Sequence, residues 1–442
     1  MPKFPSVPSN GPIRPRTTSS QDRREKGRGR FQRFFSVLGP GLVTGASDDD
    51  PSGIATYSMA GALLGTSLLW TAFVTWPLMA SVQFTCAKIG MVTGRGIGSV
   101  LLLKFPRWMV MVSCLALFGA NALNVGADLS GMADATAMLT HSPSRPWVFI
   151  YGFGIAWATI RFRYRRIAGI LKWLALVLLA YVITAFLVKP SWPAVAQAAI
   201  VPTIPRNHDG WSMLVAILGT TISPYLFFWQ ASQEVEEDKA KGRKSIYRRL
   251  GATQNELDDR WTDVATGTAA SNVVMFFIIL TAALTLHRSG LTQIQTSQDA
   301  ATALYPLAGN LAGTLFTLGI VGVGVLAIPT LTSSAAYALA DVFRLRQGLD
   351  ERLDAAPAFY GTILFSTAIG IGLVFGNVNP VQALYWTAIV NGLLAPFLLL
   401  GILMVASDRK IMQKQPISRL SFVLASVTTL LMFAAGGAMF VF

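Results

Sequence analysis

Three consecutive carboxylates, Asp48, Asp49 and Asp50, precede Pro51-Ser52-Gly53 inside an apolar, glycine-containing stretch that runs from about 34 to 64. A single charge at a bilayer centre costs at least about 2.5–3.5 kcal/mol, so three together call for a function. Pro51 has no backbone N–H, and Ser52-Gly53 beside it are weak helix formers. The sequence therefore predicts a helix that breaks here. A break frees backbone carbonyls, which a membrane tolerates only where they are buried in protein or line a cavity. Carboxylate oxygens with freed carbonyls are the ligands of a hard divalent cation. Like charges this close repel, so all three acids are not expected to stay ionised without a cation.

A second break is written into Gly219-Thr220-Thr221-Ile222-Ser223-Pro224-Tyr225, where a proline again interrupts an apolar helix beside small hydroxyl residues. A third polar group lies in Asn121-Ala-Leu-Asn124-Val-Gly-Ala-Asp128. Spacings of three and four put Asn121, Asn124 and Asp128 on one helix face. A lone acid in a span is expected to face the bundle interior or a water path, which makes Asp128 a vestibule candidate. Asn272 and Asn391 are further amides within apolar runs, suited to an ion path or to holding helices together. Asp263 and Asp341 fall at the ends of apolar runs, and Glu234, Glu236, Glu237 and Asp238 follow the second break. All six read as solvated charges.

The elements that must position these groups follow from composition. The 442 residues are 52% hydrophobic and only 13% charged, with mean hydropathy +0.50, which marks an all-α polytopic membrane protein. Eleven apolar segments are expected near 34–64 (broken), 67–87, 108–133, 146–160, 167–187, 211–233 (broken), 264–286, 311–340, 357–376, 380–406 and 420–441. Residues 1–33, polar and rich in Pro, Ser and Arg, read as a disordered basic tail rather than a signal peptide.

The net charge of +14 does not point to nucleic acid. With the N-terminus inside and the segments alternating, only Arg145, Lys189, Arg206 and Arg288 of the 36 Lys and Arg fall outside. That is a positive-inside pattern with the tail cytoplasmic and the C-terminus extracytoplasmic in a cell membrane. The tail is then placed to touch anionic lipid. Cys86 and Cys114 lie in apolar runs without metal-ligand spacing and read as small buried hydrophobes. No His/Cys metal set, nucleophile elbow or P-loop is present, so no enzyme and no cofactor is expected, and no obligatory protein partner is evident beyond the bilayer. Equivalent breaks five segments apart point to a five-plus-five inverted repeat with the binding site where the breaks meet. The repeats are placed at 34–187 and 211–406, joined by a linker over 188–210 and followed by 407–442.

Gly39-Pro40-Gly41, Asp50-Pro51-Ser52-Gly53-Ile54-Ala55-Thr56 and Gly219 to Tyr225 resemble the Nramp family of divalent-metal transporters, over almost the whole chain after the tail. The resemblance implies a LeuT-type fold with eleven transmembrane helices, of which the first and sixth are discontinuous. The family's first-helix motif is Asp-Pro-Gly-Asn and its sixth-helix motif Met-Pro-His. Here an asparagine ligand is replaced by Gly53, a methionine ligand by Ser223 and a histidine by Tyr225. These departures look like the branch of Nramp-related magnesium transporters. A thioether favours transition metals, whereas carboxylate, carbonyl and water suit Mg²⁺ and Mn²⁺. The smaller Gly53 and Ser223 imply a wider site for a partly hydrated Mg²⁺.

Asp50 is the expected principal charge. Carbonyls near Ser47 and Thr220, the Ser223 hydroxyl and bridging waters complete the shell, with Asp49 further out. Asp128, Tyr225, Asn272 and Asn391 are vestibule or gate candidates. The family's proton-coupled members lead one to look for a sixth-helix histidine, two third-helix acids and ninth-helix arginines. Here these reduce to Asp128, with Val125 at the other third-helix position. The expectation is import of Mg²⁺, and of Mn²⁺, by alternating access without protons. A divalent cation gains about 4.6 kcal/mol per 100 mV on entering an inside-negative cell, twice the single-charge value. The alternatives are a proton-coupled Mn²⁺/Fe²⁺ importer and a LeuT-type carrier of an organic solute.

Overall fold

The computed structural model describes residues 39–162, 175–376 and 378–442, and all regular structure among them is helical. The basic tail, residues 34–38 of the first segment and residues 167–174 of the fifth lie outside the described residues. The remaining segments are all occupied by helix. The first is split into α1 (Pro40–Asp48) and α2 (Pro51–Leu64). Next come α3 (Trp70–Thr93), α4 (Arg107–Thr140), α5 (Ser144–Arg161) and α6 (Leu179–Leu187). The sixth segment is split into α7 (His208–Thr221) and α8 (Pro224–Ala240). Then follow α9 (Gln254–Thr285), α10 (Ala312–Phe343), α11 (Pro357–Val374), α12 (Pro380–Ala406) and α13 (Arg419–Val441).

Among the described residues, seven helical stretches are long and apolar enough to cross a membrane, one of them the pair α7–α8 taken together. That pair is the axis of the bundle. Its apolar window is 94% buried, against 39% for α11 and α13. The outer helices turn Phe73, Trp108, Phe153, Trp157, Phe365, Phe397 and Leu430 outward. A polytopic protein needs such an apolar surface toward lipid.

Small residues bring the broken helices close to their neighbours. A Cβ on Gly41 would lie 2.7 Å from the Val264 nitrogen, and one on Gly45 would overlap the Gly267 backbone, so α1 meets α9 backbone to backbone. A Cβ on Gly219 would overlap the backbone of Ala388 and Gly392, which sets α7 directly on α12. In lipid, where hydrophobicity does not drive helix association, close packing of this kind does. Gly219→Val is therefore expected to push α7 off α12. Overpacking costs about 1–3 kcal/mol, read as a lower thermal midpoint and a smaller monodisperse peak in size-exclusion chromatography.

Two expectations need correction. The seventh segment does not begin near 264. Its helix starts at Gln254, because Thr253 and Glu256 form a reciprocal capping box that nucleates it earlier. The extra turns carry Arg260 and Asp263 into the protein. The charges read as solvated also are not. Glu234, Asp238, Asp263 and Asp341 are buried, and Glu236 and Glu237 are half-buried.

Candidate functional site: two broken helices that meet

Each break is built by its proline. Asp50 is extended, with φ −69° and ψ 171°, and caps α2 by accepting the Gly53 N–H on Oδ1 at 2.7 Å, while Pro51 takes the first helical position. Proline is at home there, since that N–H has no intrahelical partner. Asp49 leaves the helical region at the end of α1. In the other break Ile222 ends α7, Ser223 is extended and Pro224 opens α8.

The breaks touch. A Cβ on Gly53 would lie 3.2 Å from Thr220 Oγ1 and 3.3 Å from the Asp48 carbonyl oxygen. Tyr225 donates its hydroxyl to the Ser47 carbonyl at 2.8 Å, and Tyr57 and Thr221 hydroxyls meet at 3.2 Å. Ser223 Oγ lies 2.8 Å from the Gly219 carbonyl and 2.7 Å from that of Thr220. Ser47, Thr220, Ser223 and Asp50, read from the sequence as metal ligands, and Tyr225, read as a vestibule or gate residue, are thus brought together and buried. The Ser47 and Thr220 carbonyls each already accept one hydrogen bond, and each keeps a second lone pair for a cation.

The acidic trio divides. Asp48 Oδ2 and Asp49 Oδ1 both accept from the Ser271 hydroxyl on α9, at 2.9 and 3.0 Å. Asp50 turns the other way. Its Oδ2 accepts from Asn124 Nδ2 on α4 at 3.1 Å, and the same nitrogen lies 3.3 Å from Asp128 Oδ2. Asn391 Nδ2 faces Asn124 Oδ1 at 3.5 Å, so Asp128 and Asn391 belong to the Asp50 side. Asn272 does not. Its Oδ1 accepts from Thr75 at 2.7 Å, and its Nδ2 bonds the Thr268 carbonyl at 2.9 Å and faces Met79 Sδ at 3.5 Å. Both ends of that carboxamide are consumed in joining α9 to α3, a packing role.

Among the described residues no three His, Cys, Asp or Glu side chains converge on one point as a metal cage. An ion here would be held by Asp50, with Asp128 beside it, and by neutral oxygens and its own waters. The three histidines stand at helix ends. His141 follows α4, His208 begins α7, and His287 contacts the Ala62 carbonyl through Nδ1 at 2.7 Å.

Sequence reasoning passed over a second polar cluster at the N-terminal end of α1. Buried Arg260 pairs with Glu234 at 2.8 Å, with Asp263 at 2.5 Å and with Glu237. Asp263 also accepts the backbone N–H groups of Gly39, Gly41 and Leu42 at 2.8, 2.8 and 3.0 Å, which anchors the start of α1. Thr44 reaches Glu234 through Gln230, by bonds of 2.6 and 2.7 Å. One sequence signal was available, since Arg260 and Asp263 stand three apart, the spacing of a helical ion pair.

Comparison with known proteins agrees with this fold. Residues 41–442 match the family model described as natural resistance-associated macrophage protein-like, Nramp. The chain is 23% identical over 406 residues to the divalent metal cation transporter MntH of Caldanaerobacter subterraneus subsp. tengcongensis, covering 90% of this chain and 91% of that protein. Among solved structures it is similar to the Eremococcus coleocola manganese transporter, with TM-score 0.75 at 18% identity, covering 93% of this chain and 87% of that one. It is also similar to Mhp1, a nucleobase-cation-symport-1 family transporter, with TM-score 0.54 at 15% identity over 91% and 90% of the two chains. The fold is the LeuT-type one, with its first and sixth helices discontinuous.

Proposed function

The chain belongs to the Nramp family, and from that premise we propose that it imports Mg²⁺, with Mn²⁺ as a second substrate, by alternating access and without moving protons. As a multi-pass member of that family it is a transporter of divalent metal ions, not an enzyme. The observation that carries the finer reading is the chemistry around Asp50. One carboxylate, oriented by Gly53 N–H and Asn124, sits where two breaks offer carbonyls and hydroxyls. Ser223 stands where a thioether would select a soft metal. Mg²⁺ gives up its waters reluctantly and uses one or two carboxylates, which suits such a site.

Proton independence is supported by the position of the histidines at helix ends and by the absence of Lys and Arg between Arg352 and Arg409. We place the N-terminus in the cytoplasm and the C-terminus outside, on the distribution of Lys and Arg. A second reading is a proton-coupled Mn²⁺/Fe²⁺ importer, of which the relatives named for manganese and divalent metals favour the Mn²⁺ part alone. An organic-solute carrier is opposed by Asp50 itself, because carboxylate substrates prefer helix N-termini free of acids.

The test is competition in proteoliposomes under an inside-negative potential. Mg²⁺ is expected to be taken up, Mn²⁺ to compete with it, and the soft ion Cd²⁺ to compete at least about tenfold more weakly than Mn²⁺, given the softness of each ion. Strong Cd²⁺ competition without Mg²⁺ uptake would refute the proposal.

A further inference from the structure

Asn124 occupies a position that neither the family motif nor the chemistry of the breaks assigns. Its Nδ2 stands 3.1 Å from Asp50 Oδ2 and 3.3 Å from Asp128 Oδ2, and its Oδ1 faces Asn391 Nδ2 at 3.5 Å. These contacts fix which way the carboxamide points. Turned over, it would set an oxygen against two carboxylates. Asn124, Asp50, Asp128 and Asn391 are all buried. Asp50 has both oxygens held from the protein side, Oδ1 by Gly53 N–H and Oδ2 by Asn124. Asp128 Oδ1 and Asn391 Oδ1 have no hydrogen-bond partner. Buried oxygens in that state call for a cation or water. Asp48 and Asp49 are turned to Ser271 on α9 and do not join this group.

We propose that Asn124 is a positioning residue that sets the choice between Mg²⁺ and Ca²⁺, a role that rests on the Mg²⁺ reading above. One neutral nitrogen holds Asp50 and Asp128 side by side and keeps the carboxylates on the α4 side of the site at two. Two are enough for Mg²⁺, which retains much of its water. Ca²⁺ takes six to eight oxygens, often from several carboxylates, in a pliable shell. A third carboxylate at position 124 would supply what Ca²⁺ needs and would repel its two neighbours unless a cation lay among them. Removal of the amide takes the donor from Asp50 Oδ2 and the link that joins Asp50 to Asp128.

The experiment uses the full chain in proteoliposomes under an inside-negative potential, with Mg²⁺ uptake measured against added Ca²⁺. Asn124→Ala is expected to raise the KM for Mg²⁺ about tenfold and to change the maximal rate by about twofold or less, as loss of a hydrogen bond to a charged group would. Asn124→Asp is expected to make Ca²⁺ about tenfold more potent as an inhibitor, by the same conversion. Asn124→Gln, which keeps the amide, is expected to retain the preference for Mg²⁺. The Asn124→Ala effect is expected to shrink in an Asp128→Asn background, because the two act through one contact. Titration calorimetry of the purified chain with Mg²⁺ and with Ca²⁺ reads the same preference as binding. An unchanged KM and an unchanged Ca²⁺ sensitivity in folded Asn124→Ala and Asn124→Asp would overturn the role of Asn124 while leaving Mg²⁺ transport standing. So would an equal loss of rate for every ion without a change in KM. Absence of Mg²⁺ flux through the unsubstituted chain would instead overturn the substrate reading.

Discussion

Asp50→Asn is expected to yield a folded protein that has lost Mg²⁺ uptake by about 100-fold or more. Removal of groups that merely support a metal ligand costs about 10–100-fold in metal affinity, and Asp50 is placed to be the ligand itself. The choice of asparagine matters. Asp50 has a second task as the N-cap of α2, where it accepts the Gly53 N–H. Asn caps a helix about as well as Asp, whereas Ala costs about 1 kcal/mol. Asp50→Asn thus removes the charge and keeps the cap, and Asp50→Ala removes both. Uptake should be lost equally in the two proteins, with a lower thermal midpoint only in Asp50→Ala. Retention of more than about a tenth of the uptake by Asp50→Asn would contradict the role of Asp50, by the same comparison with supporting groups.

Arg260→Gln is expected to have the largest effect on stability. The guanidinium is shared among Glu234, Glu237 and Asp263, and it is buried with two of them. Breaking a buried ion pair by removing one partner costs about 3–5 kcal/mol, because the remaining charges stay in place. Asp263 adds a further consequence. It holds three backbone N–H groups at the start of α1, so its disturbance reaches the broken helix and the site. Arg260→Lys is expected to restore only part of the loss, since an ammonium is a point charge and cannot serve three carboxylates in separate directions. Fluorescence-detected size-exclusion chromatography after heating measures both proteins. A midpoint for Arg260→Gln equal to that of the unsubstituted chain would show that the cluster contributes little.

Much of this architecture is legible in the residues, because a membrane makes anomalies conspicuous. Pro51 after three acids and Pro224 after Ser223 announce the breaks, since each offends the helix and the bilayer at once. The tenth segment is found where it was expected, at 380–406, bounded by Asn379-Pro380 and by the charges at Asp408-Arg409-Lys410. What stays hidden is the rotation of each helix about its axis. Nothing in Asp48-Asp49-Asp50 says that two acids face Ser271 while the third faces Asn124. That division is decided by the turn of chain between α1 and α2. Spacing put Asn124 and Asp128 on one face, yet it gave Asn124 no more weight than Asn272, which packs against Thr75 and Met79. The acids at 234–238 read as solvated because they form a run of charge that begins the loop after the sixth segment. Glu234 and Glu237 are instead paired with Arg260, more than twenty residues away, on a helix whose start was placed too late.

The central claim is that Mg²⁺ moves with the membrane potential and without protons. The direct measurement records Mg²⁺ and internal pH together in proteoliposomes that hold the purified chain, with an inside-negative potential and no pH gradient. The account predicts Mg²⁺ influx that scales with the potential, an internal pH that stays unchanged, and loss of the Mg²⁺ influx in Asp50→Asn. Mn²⁺ uptake accompanied by acidification, with no Mg²⁺ flux, would contradict it and would make this chain a proton-coupled importer whose proton route does not use a histidine at position 225.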